Sequence, residues 1–330
     1  MQEFLEELKR LASTPITVPR NPRVAAIIVD QNDKIIARGI HTGKGNDHAE
    51  VAALKKSFGD LSHCTMYVSL EPCNHHGATG PCTEAIIQSG IKKLVIGSLD
   101  PNPESTGGLK RLKDAQIEVF VCPDQSDFVS LNRRWMESIR LKRPFVAIKS
   151  AISIDGFISK NENERYQITS SKALDYSQEL RCNFDAILVG TNTVEADDPL
   201  LTIRKFENQE VKQPLRVIMG NRELSQNHRV FNSDAESIQI KTHNPKEVLN
   251  QLNKLDVNSI LIEGGASVAS AFLSEGLVDE MHIFMANKIL GQGVNMFEQF
   301  KDSAPHLEIS FKNVLSLEPD VLIQANVYGR

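Results

Sequence analysis

The chain reads as an α/β protein built in two domains, and three observations carry that expectation. Short apolar runs suited to buried strands alternate with helical stretches, the pattern of sheets covered by helices. Its 330 residues, 41% hydrophobic and 24% charged, are long for one core and comfortable for two. The stretch Arg140-Leu-Lys-Arg-Pro144 is charged and ends in proline, as linkers often do, and a new series of strands begins behind it. The domains are therefore expected over residues 1–143 and 144–330.

In the first half, the N-terminus is an acidic amphipathic helix with Phe4, Leu5, Leu8 and Leu11 on one face, which suits neither a signal nor a transit peptide. Val24 to Val29 reads as a buried strand, Asp30 to Asp33 as a hairpin turn, and Lys34 to Gly39 as the partner strand. A glycine-rich loop, His41 to Asp47, leads into a helix opened by His48, with Val51, Ala52 and Leu54 expected to face the sheet. Met66 to Leu70 is the next strand. A helix from near Cys82 to Gly90, a strand over Lys93 to Gly97 and the proline-written turn Asp100-Pro-Asn-Pro103 follow. Leu109 to Ala115 is helical, Glu118 to Cys122 is the last strand, and Ser126 to Lys142 is a helix carrying Trp135. This alternation predicts a three-layer α/β domain.

The second half opens with strand Phe145 to Lys149, then a helix from Ser171 to about Cys182 and strands over Ala186 to Gly190 and Leu215 to Met219. Ser259 to Glu263 is a strand that runs into Gly264-Gly265 and a helix from Ala266 to Leu273. His282 to Met285 closes the recognisable sheet. There is no internal repeat and no low-complexity tract. No apolar run approaches membrane-spanning length, so no membrane partner is expected. A net charge of −5 argues against a nucleic-acid surface but leaves small phosphorylated substrates open.

The chemistry is concentrated in His48-Ala49-Glu50, Pro72-Cys73 and Pro81-Cys82. A catalytic zinc takes three protein ligands and keeps a fourth position for water, whose pKa it lowers toward neutrality. His48, Cys73 and Cys82 fill the three protein places, and Glu50, two residues beyond His48, can move protons without binding metal. His-x-Glu alone recurs by chance and isolated cysteines are often core residues. The combination, with a proline before each cysteine and a strand leading into the first, points to a catalytic zinc. A structural zinc needs a fourth ligand, which His75 or His76 could supply. The remaining cysteines, Cys64, Cys122 and Cys182, have no paired spacing and read as buried or free thiols.

In the second half no GxGxxG follows the first strand, so a Rossmann nucleotide site is not supported. Gly264-Gly265, after a strand and before a helix, would let backbone amides approach a phosphate where the helix dipole also favours the anion. A simple tight turn is the competing reading.

Leu70-Glu-Pro-Cys-Asn-His-His-Gly77, Thr79, Pro81-Cys82 and Asp100-Pro-Asn-Pro103 resemble the bifunctional riboflavin-biosynthesis deaminase-reductase family. The likeness continues through Lys149 to Gly156, Asp185 to Gly190, Ala196-Asp-Asp-Pro199, Leu201 to Arg204, Leu261 to Gly265 and Leu277 to Glu280. It implies a cytidine-deaminase-like domain followed by a dihydrofolate-reductase-like domain, acting on consecutive intermediates. Zinc-dependent deamination of a diaminopyrimidinone carrying a phosphoribosylamino group would come first, and NADPH reduction of the ribosyl chain to ribityl second. Family substrate positions fall on Asn21 in the first domain and on Arg165, Arg181, Leu201, Arg204 and Glu263 in the second. Cofactor positions fall on Ala151, Gln167, Thr193, Asp197, Gly265, Ala266, Ser267, Val268, Ala269, Ser270 and Ala271. The resemblance also implies a cytoplasmic homo-oligomer.

Several positions depart from the family pattern. Ala78 stands where a Lys or Arg is usual, which removes a cation from the metal loop, and Arg165-Tyr-Gln-Ile-Thr169 puts Gln167 where an aromatic platform is usual, with Tyr166 beside it. Val18-Pro-Arg-Asn-Pro22 replaces a glycine-rich approach, and Glu104-Ser-Thr-Gly-Gly108 shortens the segment after the Asp100 turn. Three other readings remain open on the residues: a deaminase of another class, a chain with only one catalytic half, and a zinc-stabilised binding scaffold.

Overall fold

A computed structural model describes the chain except residues 19, 75–79, 104–106, 162–165, 207–210, 298–306 and 329–330. His75, His76, Ala78 and Arg165 lie outside the described residues. The chain forms two compact units, Met1–Lys142 and Arg143–Arg330.

In the first unit, α1 (Gln2–Ala12), β1 (Ala25–Val29), β2 (Ile35–Ile40), α2 (Ala49–Leu54) and β3 (Thr65–Val68) are followed by α3 (Cys82–Gln88), β4 (Lys93–Ile96), α4 (Gly108–Asp114) and β5 (Glu118–Val121). Two helices, α5 (Ser126–Leu131) and α6 (Arg133–Leu141), end the unit. The sheet order is β2-β1-β3-β4-β5, with β1 antiparallel to both neighbours and β3, β4 and β5 parallel. Side chains of β1 alternate between two cores. Ala26 and Ile28 pack with Ala49 and Ala53 of α2, Ile86 of α3 and Leu112 of α4; Ala25, Ile27 and Val29 pack with Phe4, Leu8 and Leu11 of α1 and Phe128 of α5. Helices thus cover both faces, the three-layer arrangement that the alternation predicts.

Two local expectations are corrected. On α2, Val51 and Ala52 are half exposed, while Ala49, Glu50 and Ala53 are buried. The cause is Gly39: a Cβ there would run into the carbonyl of Ala49 and the amide of Ala53, so the helix lies with its backbone directly on β2. The helix expected over residues 126–142 is broken at Asn132. The Asn132 side chain accepts from Arg23 N at 2.7 Å and donates to Arg23 O at 3.0 Å, tying the break to the segment that leads into β1.

The second unit contains β6 (Phe145–Ile152), β7 (Phe157–Ser159), α7 (Ser171–Arg181), β8 (Ala186–Gly190), α8 (Thr191–Asp197), β9 (Leu215–Met219) and β10 (Ser237–Ile240). It continues with α9 (Pro245–Asn253), β11 (Ser259–Ile262), α10 (Ala266–Ser274), β12 (Glu280–Met285), β13 (Val294–Asn295), β14 (Glu308–Leu317) and β15 (Asp320–Tyr328). Its main sheet has the order β10-β9-β8-β11-β6-β12-β15-β14, parallel from β10 to β12 and antiparallel across the β15–β14 edge. Helices α9 and α10 supply Val248, Leu252, Ala269 and Phe272 to one face, and α7 supplies Ala173 and Leu180 to the other. His282 to Met285 therefore does not close the sheet; the β14–β15 hairpin extends it.

Candidate active sites

The first site forms where strand ends and helix beginnings meet. His48 precedes α2 in an extended conformation, Cys82 is the first residue of α3, and Cys73 lies in the loop after β3. Pro81, with no N–H to satisfy, immediately precedes α3. His48 Nδ1 is 3.2 Å from Cys82 Sγ and 3.5 Å from Cys73 Sγ, and the three ligand atoms all lie within 4.8 Å of one another. Ligands of a tetrahedral zinc, bonded at about 2.0 Å to nitrogen and about 2.3 Å to sulfur, stand roughly 3.5 Å apart. The triangle and its two-thiol, one-imidazole chemistry therefore fit zinc.

The protonation of the site follows from its crowding. Cys73 is pushed down to about 4, chiefly by the hydrogen bond with Cys82, with burial opposing and His48 assisting. Cys82 is pushed up, by its bond with Cys73 and then by burial. One thiol of the pair therefore gives up its proton well before the other. The amide of Cys82 also reaches Cys73 Sγ at 3.5 Å. Glu50 is 3% exposed, and burial lifts its carboxyl to about 6. A carboxyl poised near neutrality, beside the metal ligands but not among them, is suited to proton transfer.

His48 and Cys73 of the triangle line a pocket of about 220 Å³ together with Glu50, Asn21, His41, Asp100, Asn102 and Trp135, and Cys82 lies fully buried behind them. Asn21 stands at the position the resemblance marks. His41 is a residue that sequence reasoning missed: 5% exposed, it lies edge-on to the His48 ring at 5.3 Å. Its Nδ1 is 3.1 Å from the Asp47 carbonyl oxygen, and its Nε2 is 3.4 Å from the side-chain amide of Asn21. The available signal was its place one residue beyond the hairpin partner of β1, where its amide donates to Val24 O at 2.9 Å. Glu71 also lines the pocket, accepting from Leu109 N at 3.2 Å and Asp100 N at 3.4 Å.

In the second unit the structure brings Arg181 and Glu263 together. The guanidinium grips the carboxylate through Nε at 2.7 Å and Nη2 at 3.0 Å, and donates from Nη1 to Thr202 O at 2.8 Å. The side chains are 10% and 7% exposed, so this arginine is spent on a buried pair. Burial raises the Glu263 carboxyl, but the charge and hydrogen bonds of Arg181, with Lys149, outweigh it and hold the group low. Lys149 was not singled out from the sequence. The register Ile262↔Ile148 places it opposite Glu263, and burial lowers its ammonium against the pull of Glu263.

The other positions scatter. Leu201 is 3% exposed, has φ of 52° and packs its side chain into the core with Ile187, Val194 and Ile218. Its neighbour Leu200 has its carbonyl held by the buried Arg216 at 3.3 Å. Arg204 is exposed and lines a separate pocket of about 280 Å³ with Thr202, Phe206, Gln213 and Asp234. Gln167 is exposed, its Nε2 3.4 Å from Thr169 O, and the Tyr166 ring carries the ammonium groups of Lys160 and Lys288 at 5.5 and 5.8 Å. Asp197 ends α8 half-buried, and Ala151 is half-buried in β6.

The two glycines before α10 have different duties. A Cβ on Gly264 would lie 2.9 Å from Gly190 N, so this glycine lets the chain close against β8. A Cβ on Gly265 would find only Thr193 Oγ1, at 3.9 Å, and Gly265 N donates to that oxygen at 3.3 Å. The space in front of α10 is thus a cradle that a side chain would fill, which fits a dinucleotide phosphate. The run from Gly265 to Ala271 wraps round the helix: Gly265 and Ser267 are exposed, Val268 and Ala271 half-buried, and Ala266, Ala269 and Ser270 buried.

Comparison with known proteins gives the same two-part picture. The family described as the cytidine and deoxycytidylate deaminase zinc-binding region matches residues 1–98, and the RibD C-terminal domain matches residues 144–323. The riboflavin biosynthesis protein RibD of Aquifex aeolicus is 34% identical over 328 residues, covering 92% of this chain and 91% of its own. That of Mycobacterium tuberculosis (strain H37Rv) is 37% identical over 312 residues, covering 93% and 91%. Among solved structures, form 1 of Acinetobacter baumannii RibD aligns with a TM-score of 0.91 at 33% identity, over 99% of this chain and 98% of that one. The Thermotoga maritima diaminohydroxyphosphoribosylaminopyrimidine deaminase/5-amino-6-(5-phosphoribosylamino)uracil reductase aligns at 0.88 and 33%, over 98% and 97%. With a metal-ready deaminase centre in one unit and a reductase domain in the other, the chain belongs to the RibD family of riboflavin-biosynthesis enzymes.

Proposed function

We propose that this chain catalyses two consecutive steps on one small phosphorylated pyrimidine. Residues 1–143 hydrolyse the C2 amine of 2,5-diamino-6-(5-phosphoribosylamino)pyrimidin-4(3H)-one, and residues 144–330 reduce the ribosyl chain of the product to ribityl with NADPH. The observation that carries the reading is the His48, Cys73 and Cys82 triangle beside buried Glu50, in one chain with a RibD reductase domain.

In the first step His48, Cys73 and Cys82 hold zinc, which when bound supplies the Lewis acidity that activates water. Glu50 accepts one proton from the attacking water and gives it to the ring nitrogen, then carries the second, from the hydroxyl now on C2, to the amine that leaves as ammonia, a role supported by its burial and its value of about 6. Asn21 and His41, which line the same pocket, orient the pyrimidine. In the second step NADPH, when bound, would supply the hydride that reduces the opened sugar. The Gly265 cradle with Thr193 and Ser267 holds a cofactor phosphate, and Arg204 meets the substrate. Lys149, half-buried and facing Glu263, supplies the proton that ring opening requires, while Arg181 fixes the Glu263 carboxylate.

The chain acts in the cytoplasm as a homo-oligomer. The cysteines are all free thiols, and no helix among the described residues is long and apolar enough to cross a membrane. Edge strand β14 exposes Ile309, Phe311 and Val314, at 49%, 65% and 63%, a row suited to a second copy. Phe311→Glu is expected to lower the mass measured by light scattering.

The test is to supply zinc-loaded protein with the diaminopyrimidinone substrate, follow ammonia release without cofactor, then add NADPH and follow its oxidation. Ammonia followed by NADPH consumption is the expected sequence. Ammonia alone would mean that the second half does not reduce this product, and neither signal would overturn the assignment.

A further inference from the structure

Among the described residues that line it, the deaminase pocket offers little positive charge to a phosphorylated substrate. Among its described lining residues, Glu50, Glu71 and Asp100 are carboxylates, and Arg20 is the one permanent cation. Glu71 and Asp100 are occupied with backbone amides: Glu71 with Leu109 and Asp100, and Asp100 with Asn102 at 2.8 Å. A phosphate monoester brings close to two negative charges and three acceptor oxygens, and a guanidinium fork is the side chain best shaped to receive them.

Arg20 also stands in a conformation that an arginine does not choose freely. Its φ is 62°, in the left-handed region that favours glycine. The strain lies next to Asn21, the pocket residue that faces His41, and it is the kind of outlier that clusters at ligand sites. Arg23 donates to the carbonyls of Pro15 and Ile16 and so builds the loop from which Arg20 reaches the pocket.

We propose that Arg20 is the specificity residue of the deaminase site, the side chain that selects the phosphorylated form of the pyrimidine over its dephosphorylated nucleoside. This rests on the proposed deamination of a phosphorylated substrate, and it goes beyond that reading by naming the residue that reads the phosphate. In this chain the cation comes from the loop before β1, and Ala78 of the metal loop contributes no charge.

The experiment compares the zinc-loaded full chain with Arg20→Gly and Arg20→Lys on the phosphorylated substrate and on the nucleoside lacking the phosphate. Glycine removes the cation and accepts the left-handed φ, so the fold is kept, and zinc content and NADPH reduction serve as controls. The expected result is a KM for the phosphorylated substrate raised on the order of 10- to 100-fold in Arg20→Gly, the loss typical of a charge-assisted contact. The kcat stays within a few-fold, the KM for the nucleoside does not change, and Arg20→Lys falls between. Equal changes on both substrates, or none, would overturn the proposal. Absence of ammonia release from the unmodified chain would instead overturn the deamination reading on which it rests.

Discussion

Glu50 is separated from metal binding by two residues of helix geometry and from water by the wall of the pocket, and both separations matter for its work. Replacing it by Gln keeps shape and removes the proton carrier. Deaminase kcat is expected to fall roughly 10²- to 10⁴-fold, with bound zinc and NADPH reduction unchanged, as metal analysis and separate assays of the two steps would show. Arg181 and Glu263 act on stability as well as on the site. Because the folded Glu263 carboxyl is held below its ordinary value, the pair's contribution is full above an unfolded value of about 4.3 and drains as pH falls through the lower folded value. Arg181→Met should cost the second unit about 3–5 kcal/mol at neutral pH, since it strands a buried carboxylate. Its urea midpoint should then differ least from the parent's under acid conditions; a gap independent of pH would contradict the pairing. The metal ligands were legible in the sequence because their chemistry is local: His-x-Glu spans one turn and each cysteine follows a proline. His41 and Arg20 were not, because only the pairing of β1 with β2 and the loop before it bring them to the metal. Arg181 and Leu201 were legible as positions, while the partners that occupy them were not.

At the level of elements, the placement of α2 decides whether His48 and Glu50 meet the cysteines. Gly39 sets that placement by letting the helix backbone rest on β2. Gly39→Ala would force the helix outward, at about 1–3 kcal/mol by the cost of overpacking. The expected outcome is loss of zinc and of ammonia release, with NADPH oxidation on pre-deaminated substrate retained. Loss of both activities together would argue for global unfolding instead. Strands such as Ala25–Val29 and Ser259–Ile262 were readable because each carries an apolar run, AAIIV and ILI, that is buried throughout. The break at Asn132 was not, since a helical pattern runs through it and only the distant Arg23 backbone explains it. The β14–β15 hairpin was missed for the opposite reason. β14 is exposed along nearly its whole length, so its residues carry no burial pattern to read.

At the level of the whole molecule, each activity has its own core, so one can be removed without the other. Stripping zinc with a chelator should abolish ammonia release and leave NADPH oxidation on the pre-formed aminouracil intact, and adding zinc back should restore the first step. Sensitivity of the reductase to the chelator would show that its active form depends on the metal centre. The wall of the deaminase pocket also fixes how much chain the first step needs. The matched zinc-binding region ends at residue 98, yet the pocket is lined from Arg20 through Asp100 and Asn102 to Trp135. A gene fragment stopping near residue 98 would carry every metal ligand and still lack Asp100, Asn102 and Trp135 of the pocket lining, together with the outer strand β5. A fragment expected to deaminate therefore runs from α1, which covers one face of the sheet, into α6. On a ribosome, the catalytic pocket closes only after Trp135 has left the exit tunnel, long after the last zinc ligand has emerged.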